Sequence, residues 1–276
     1  MPVAKVNGIN INYTVEGRGE PLIMIMGIGG DQSAWKHQVS AFKKHYQVIT
    51  FDNRGVGKSD KPKGPYSPKL MAEDTLQLMD FLKIVKAHIL GVSMGGLIAQ
   101  EIAINYPERI LKLILTSTFA CWDDEANGPT PEMLAVMELP IKQQVKRLMD
   151  ASFNKFFNRF ILLPLFKFRL RRMKEPEITG LVGQVECIKV YDSLGRLPLI
   201  KAPTLVLTGT KDRFIKQGSS DSIAQKIPNA KLVKIENGSH AVCVEMSKVF
   251  NKEVLNFLKA SRYLHTTTIN THYCEG

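Results

Sequence analysis

The chain has 276 residues, of which 44% are hydrophobic and 23% charged. That is enough for one large domain, or a domain with a second inserted in it, and it excludes a disordered or collagen-like chain. Lys and Arg number 37 against 26 Asp and Glu, a formal +11, but ten of the basic residues and one acid, Asp150, fall between Pro140 and Lys174, so one segment carries +9. No helix-turn-helix, zinc-finger or RNA-binding signature accompanies that patch, and no nucleic-acid partner is expected. The most apolar stretch, Ile89 to Ile104, holds three glycines, Ser93, Gln100 and Glu101, so no membrane insertion is expected. Met1 to Asn7 lacks an apolar signal core, and Cys121, Cys187, Cys243 and Cys274 lie far apart without a C-x-x-C pair. A cytoplasmic protein with reduced thiols, no metal site and no cofactor is the expectation.

In chain order, Val3 to Ile9 and Ile11 to Val15 read as a hairpin around Asn7-Gly8. Leu22 to Met26 and Tyr46 to Phe51 are short continuous apolar runs, the pattern of strands buried on both faces. Leu70 to Leu82 carries a helical apolar face through Leu76, Met79, Phe81 and Leu82. Ala87 to Gly91 is predicted as a strand, Gly95 to Tyr106 as a helix ended before Pro107, and Ile110 to Thr116 as a strand. Such alternation predicts an α/β fold with a mostly parallel sheet. From about Cys121 to Leu197 the strand rhythm stops and only helical patterns and prolines remain. It resumes with a strand at Thr204 to Thr208, a helix from Ser220 to Lys226, a strand from Lys231 to Ile235 and a helix from Val249 to Leu258. A core of residues 1–120 and 197–260 interrupted by a helical insertion at 121–196 is therefore expected, followed by a loose polar tail, 261–276.

Gly91-Val92-Ser93-Met94-Gly95-Gly96 lies between a predicted strand and a predicted helix. G-x-S-x-G there is the pattern of a nucleophile elbow: the sharp turn crowds its neighbours, glycines two before and two after make room, and the serine projects above the sheet. A glycine-rich capping turn would share the spelling but not that flanking context. Serine needs a base. His37, His45 and His88 precede it, and His265 and His272 sit in the tail, which leaves His240 in the loop after Lys231 to Ile235. The base needs an orienting acid, and Asp212, after the strand ending near Thr208, is the first candidate, with Asp123 and Asp124 as fallbacks. The order Ser93, Asp212, His240 is that of one serine-hydrolase fold among several. For the oxyanion, the expected donors are the backbone N–H of Met94, next to the nucleophile, and of Ile28, in the pliant Gly27-Ile28-Gly29-Gly30 loop.

With these motifs the chain resembles the α/β-hydrolase family over Val3 to Lys259, most closely in style its lidded bacterial carboxylesterases and methyl-esterases. Phe51-Asp52-Asn53-Arg54-Gly55-Val56-Gly57-Lys58-Ser59-Asp60 is similar to the family's D-x-R-G-x-G-x-S turn, and the resemblance implies structural roles for Arg54 and Asp60. It also implies an eight-stranded sheet with a helical lid after the sixth strand. The chain departs in having Met26-Gly27 where His-Gly is common, as anthracycline methyl-esterases do. Dehalogenases and epoxide hydrolases of the family use aspartate where this chain has Ser93. Its carbon–carbon hydrolases usually carry Asn where Val92 stands and Pro-Gly in place of Arg54-Gly55. Cofactor-free haloperoxidases share the elbow, with peracid chemistry as a side reaction of an esterase site. The resemblance thus implies carboxylic ester hydrolysis, with thioester or carbon–carbon cleavage, or ligand binding on a hydrolase scaffold, as alternatives.

Within the insertion, Phe153, Phe156, Phe157 and Phe160 recur at helical spacing, with Lys155 and Arg159 on another face and Pro164 breaking the run. The plain expectation is a lid helix with its aromatics inward. The sharper one is a basic aromatic surface that meets a lipid surface, a coenzyme A thioester or an acidic acyl carrier.

Overall fold

A computed structural model of the chain describes residues 2–152 and 172–260. β1 (Val3–Val6) and β2 (Ile9–Glu16) form an antiparallel hairpin with Val6 opposite Ile9. Only Asn7 and Gly8 lie between them, both at positive φ, +48° and +76°, as the tightest hairpin turn requires. The first strand therefore stops at Val6, three residues short of the sequence-based limit, and Ile9 already belongs to the second. β3 (Pro21–Ile25), β4 (Gln47–Phe51), β5 (Ala87–Val92), β6 (Ile110–Thr116), β7 (Thr204–Gly209) and β8 (Ala230–Ile235) complete one eight-stranded sheet in the order β1-β2-β4-β3-β5-β6-β7-β8. β2 is antiparallel to β4, and from β4 through β8 all neighbours are parallel.

The apolar runs are continuous because both sheet faces are covered. Ile23, Ile25, Ile49, Phe51 and Ile89 face one layer, built on α2 (Pro68–Phe81) and α3 (Met94–Asn105). Leu22, Met24, Val48, Leu90, Leu205 and Leu207 face the other, where α1 (Lys36–Phe42) contributes Phe42. α2 begins where Ser67 Oγ accepts the Leu70 N–H at 3.1 Å and Pro68 supplies a preset φ at the first helical position.

Between β6 and β7 run α4 (Pro131–Met137), α5 (Ile141–Ser152) and α6 (Glu175–Lys189), and the described residues of this segment form no strand. After β7 come α7 (Gln217–Lys226), then β8, the short α8 (Val242–Glu245) and α9 (Ser247–Lys259). Phe250, Val254 and Leu258 of α9 complete the second layer. The phenylalanine run and the tail expected to be loose lie outside the described residues. No helix among the described residues is long and apolar enough to cross a membrane.

Candidate active site

Ser93 sits at the step from β5 into α3 with φ +56° and ψ −123°, a backbone conformation that costs a non-glycine residue about 1–3 kcal/mol. Three hydrogen bonds hold it there. Its N–H donates to Thr116 O at 2.9 Å, and its carbonyl accepts from Gly96 N–H at 2.8 Å and Thr118 Oγ1 at 2.9 Å. The flanking glycines are steric necessities: a Cβ at Gly91 would overlap the Gly95 carbonyl, and one at Gly95 would overlap that of Ile25.

Ser93 Oγ lies 3.2 Å from His240 Nε2, and His240 Nδ1 lies 2.9 Å from Asp212 Oδ2. The Asp212 side chain is wholly buried and that of His240 is 13% exposed, so the carboxylate is shielded while the imidazole keeps an opening. The other Asp212 oxygen, Oδ1, accepts the N–H groups of Phe214 and Ile215 at 2.9 and 3.1 Å. Phe214 meets the imidazole edge-on at 5.2 Å between centroids. The loops bearing acid and base are pinned to each other: Lys211 N–H donates to Gly238 O at 2.8 Å, and Asn237 N–H to Thr210 Oγ1 at 2.8 Å. Neither fallback acid joins this chain of hydrogen bonds. Asp123 is exposed, and Asp124 accepts the Ala126 and Asn127 amides of its own turn. Of the earlier histidines, His88 is buried beside Glu20 and Tyr46 on β5.

Met94 opens α3, so its N–H is among those a helix leaves without an internal partner. The second expected donor lies in the loop after β3. Gly27 presses this loop against the nucleophile, for a Cβ there would stand 3.0 Å from Ser93 Cβ. Gly29 donates its N–H to Gln184 Oε1 at 2.9 Å, and Gly30 donates to Gly27 O at 3.3 Å. Those two amides are thereby engaged within the loop and with α6, and Ile28, the donor expected from the sequence, lies between Gly27 and Gly29. The loop is also tied from below, where Asn53 Nδ2 donates to Met26 O at 2.9 Å. Asn53 follows Asp52, whose carboxylate accepts the Gln32 and Lys58 amides at 2.8 Å each. Arg54 makes a two-pronged pair with Asp74 at 2.5 Å, and Asp60 Oδ2 accepts the Asn10 N–H at 2.8 Å. These contacts fit the structural roles that the resemblance implied for Arg54 and Asp60.

Asn53, Thr118 and Gln184 are the site's supports that the sequence did not disclose. α5 and α6 bring Val145 and Leu181 against Ile28 and Val56, giving the mouth an apolar wall. The end of α5 touches the base loop, where Ala241 N–H donates to Ser152 O at 3.1 Å. Beneath Met94, Cys187 Sγ lies 3.9 Å from its Sδ, and burial, followed by the charge of Glu186, pushes that thiol up to about 12. Among the described residues no group of three or more His, Cys, Asp or Glu is placed to hold a metal ion.

Known proteins are similar to this chain over most of its length. RutD of Azorhizobium caulinodans, provisionally assigned as a carbamate hydrolase, is 28% identical over 273 residues, which span 93% of this chain and 98% of its own length. The 3-oxoadipate enol-lactonase 2 of Acinetobacter baylyi is 28% identical over 91% of this chain and 94% of its own length. The crystal structure of an enol-lactonase from Burkholderia xenovorans LB400 superposes with a TM-score of 0.81 at 29% identity, covering 94% of this chain and all of that one. A model of the alpha/beta hydrolase fold family matches residues 20–246. The chain therefore belongs to the alpha/beta hydrolase fold family.

Proposed function

We propose that this hydrolase cleaves carboxylic esters, lactones included, through an acyl-enzyme on Ser93. The observation that carries the reading is the continuous line from Asp212 through His240 to Ser93, with the serine held at a strained elbow. Asp212 fixes the imidazole with its proton on Nδ1, leaving the Nε2 lone pair facing Ser93 Oγ. As Oγ attacks the ester carbonyl, its proton passes to Nε2, and the negative oxygen receives the Met94 and Ile28 N–H groups. His240 then gives that proton to the departing alkoxide. A water, deprotonated by the same nitrogen, attacks the acyl-enzyme, and the proton returns to Ser93 as the acid leaves. No step calls for a metal or an organic cofactor.

The enol-lactonase relatives support the ester reading, since a lactone is a cyclic ester. The RutD relative favours a carbamate as a second reading, because its carbonyl would travel the same path with a different leaving group. The helices α4, α5 and α6 act, in this proposal, as a lid whose apolar side chains select the acyl group. The basic run expected to meet an anionic or lipid partner belongs to the same segment. A series of p-nitrophenyl esters from acetate to palmitate tests the function. Turnover that peaks at one chain length and vanishes in Ser93→Ala supports it. At most one equivalent of product from the wild type refutes it.

A further inference from the structure

Gln184 is fully buried, and the partners of its side chain lie far from it in sequence. Its Oε1 accepts the Gly29 N–H at 2.9 Å and its Nε2 donates to Arg54 O at 2.8 Å. One partner only donates and the other only accepts, so the amide has a single orientation. The helix carrying it comes unusually near. A Cβ at Gly180 would overlap the Gly55 carbonyl, and one at Gly183 would stand 2.7 Å from the Tyr66 ring. Gly180, Gly183 and Gln184 share one face of α6 at i, i+3 and i+4, so that face is two clearances followed by a clamp.

The clamp acts at a flexible place. Gly29 has φ +69°, and glycine passes between positive and negative φ with little cost, so the Ile28–Gly29 peptide could turn over unless something held it. The peptide before it depends on the same turn. In a trans peptide the N–H and C=O point opposite ways, so Ile28 N–H keeps its heading only while Gly27 O stays bonded to Gly30 N–H, a 3.3 Å bond that closes across the Ile28–Gly29 peptide. We infer that Gln184 is a positioning residue of the oxyanion hole: supplied by the segment between β6 and β7, it holds the Ile28–Gly29 peptide in the one orientation that keeps Ile28 N–H turned on the reacting carbonyl. The inference rests on the proposed acyl-transfer chemistry. It makes the catalytic geometry of the core depend on the seating of α6.

The test replaces Gln184 by Met, which removes both bonds at nearly constant shape, and by Glu, which still accepts from Gly29. A fluorophosphonate probe reads the hole without any ester: Ser93 Oγ bonds to phosphorus, fluoride leaves, and the serine proton passes to His240. Gln184→Met should slow phosphonylation and ester kcat by about 10- to 100-fold, less than the 10²–10³ of deleting a donor outright, with KM within about threefold. Gln184→Glu should be faster than Gln184→Met even where it is less stable. Tyr191→Phe, in the same segment as Gln184, loses a hydrogen bond to Leu97 O of α3 and should lower the melting temperature and leave both rates unchanged. A folded Gln184→Met protein phosphonylated within twofold of wild type overturns the inference. If that variant does not fold, amide exchange on the wild type decides: protection of Gly29 N–H comparable to the sheet supports the clamp, and loop-like exchange overturns it. A wild type that is phosphonylated but turns over no ester sinks the ester reading alone, provided Gln184→Met still slows the probe. A wild type inert to the probe overturns both.

Discussion

Asparagine at position 212 puts the orienting role of the acid to a sharp test. Asp212 Oδ1 faces two backbone donors, Phe214 and Ile215 N–H, while Oδ2 faces His240 Nδ1. An asparagine fits this buried space with its carbonyl oxygen toward the two donors, which turns its NH2 toward Nδ1. The ring nitrogen must then accept, and the imidazole proton moves to Nε2, the atom 3.2 Å from Ser93 Oγ. The base now presents a proton where it should receive one. A wrong tautomer of this kind costs about 10⁴ in kcat in a serine protease triad, which at about 1.36 kcal/mol per decade is about 5 kcal/mol of barrier. The fold should barely notice, because the loop amides keep their acceptor. Asp212→Ala should differ, leaving both amides without it at about 1–3 kcal/mol of stability each. The assays are ester kcat, urea denaturation, and ¹⁵N shifts of the His240 ring. An Asp212→Asn protein within tenfold of wild-type kcat, or with its imidazole still protonated on Nδ1, would refute the reasoning.

Two further outcomes follow from groups away from the triad. Lys112 on β6 is 7% exposed and its Nζ donates to Phe257 O, Leu258 O and Ala260 O at 2.9, 2.9 and 2.6 Å, a cation closing the end of α9. Lys112→Met should lose about 1–3 kcal/mol by urea denaturation without changing kcat, and a loss under about 0.5 kcal/mol would show those carbonyls content without it. Burial raises the Cys187 and Cys243 thiols from 9.0 to about 12 each. A raised folded value favours the neutral form, so this contribution to stability is whole below pH 9 and fades as pH climbs toward 12. At pH 8 the native chain should resist iodoacetamide at both sites and react in urea, as read by peptide mass spectrometry. Rapid native labelling of either would contradict its burial.

The strands were legible because burial on both faces leaves uninterrupted runs such as Leu22-Ile23-Met24-Ile25, and Ser93 because its turn demands glycine two residues before and two after. His240 could be reached by setting aside the other histidines, and Asp212 by the strand before it, with Asp123 and Asp124 left as alternatives because each also follows a strand. α1 escaped notice because its inward face is thin: among its buried residues Phe42 is accompanied by Gln38, whose amide serves Cys243 O and Asn251. Gln184 escaped for a different reason. A glutamine on a helix reads as a solvated position, and its partners, Gly29 and Arg54, stand 155 and 130 residues away. Only a folded chain brings a lone polar residue and two backbone groups to one point.

The two links of the triad differ in stiffness. Asp212 and His240 ride on neighbouring strands whose loops are bolted together through Lys211, Gly238, Thr210 and Asn237, so they move as one rigid piece. Ser93 hangs from β5, three strand spacings from β8 and so about 14 Å across the sheet. Any shear or untwisting between those strands accumulates over that span and falls on the gap between Nε2 and Oγ. On heating, ester turnover should therefore fail at a lower temperature than the packing of the layers, and loss of kcat coincident with loss of near-ultraviolet circular dichroism would refute this.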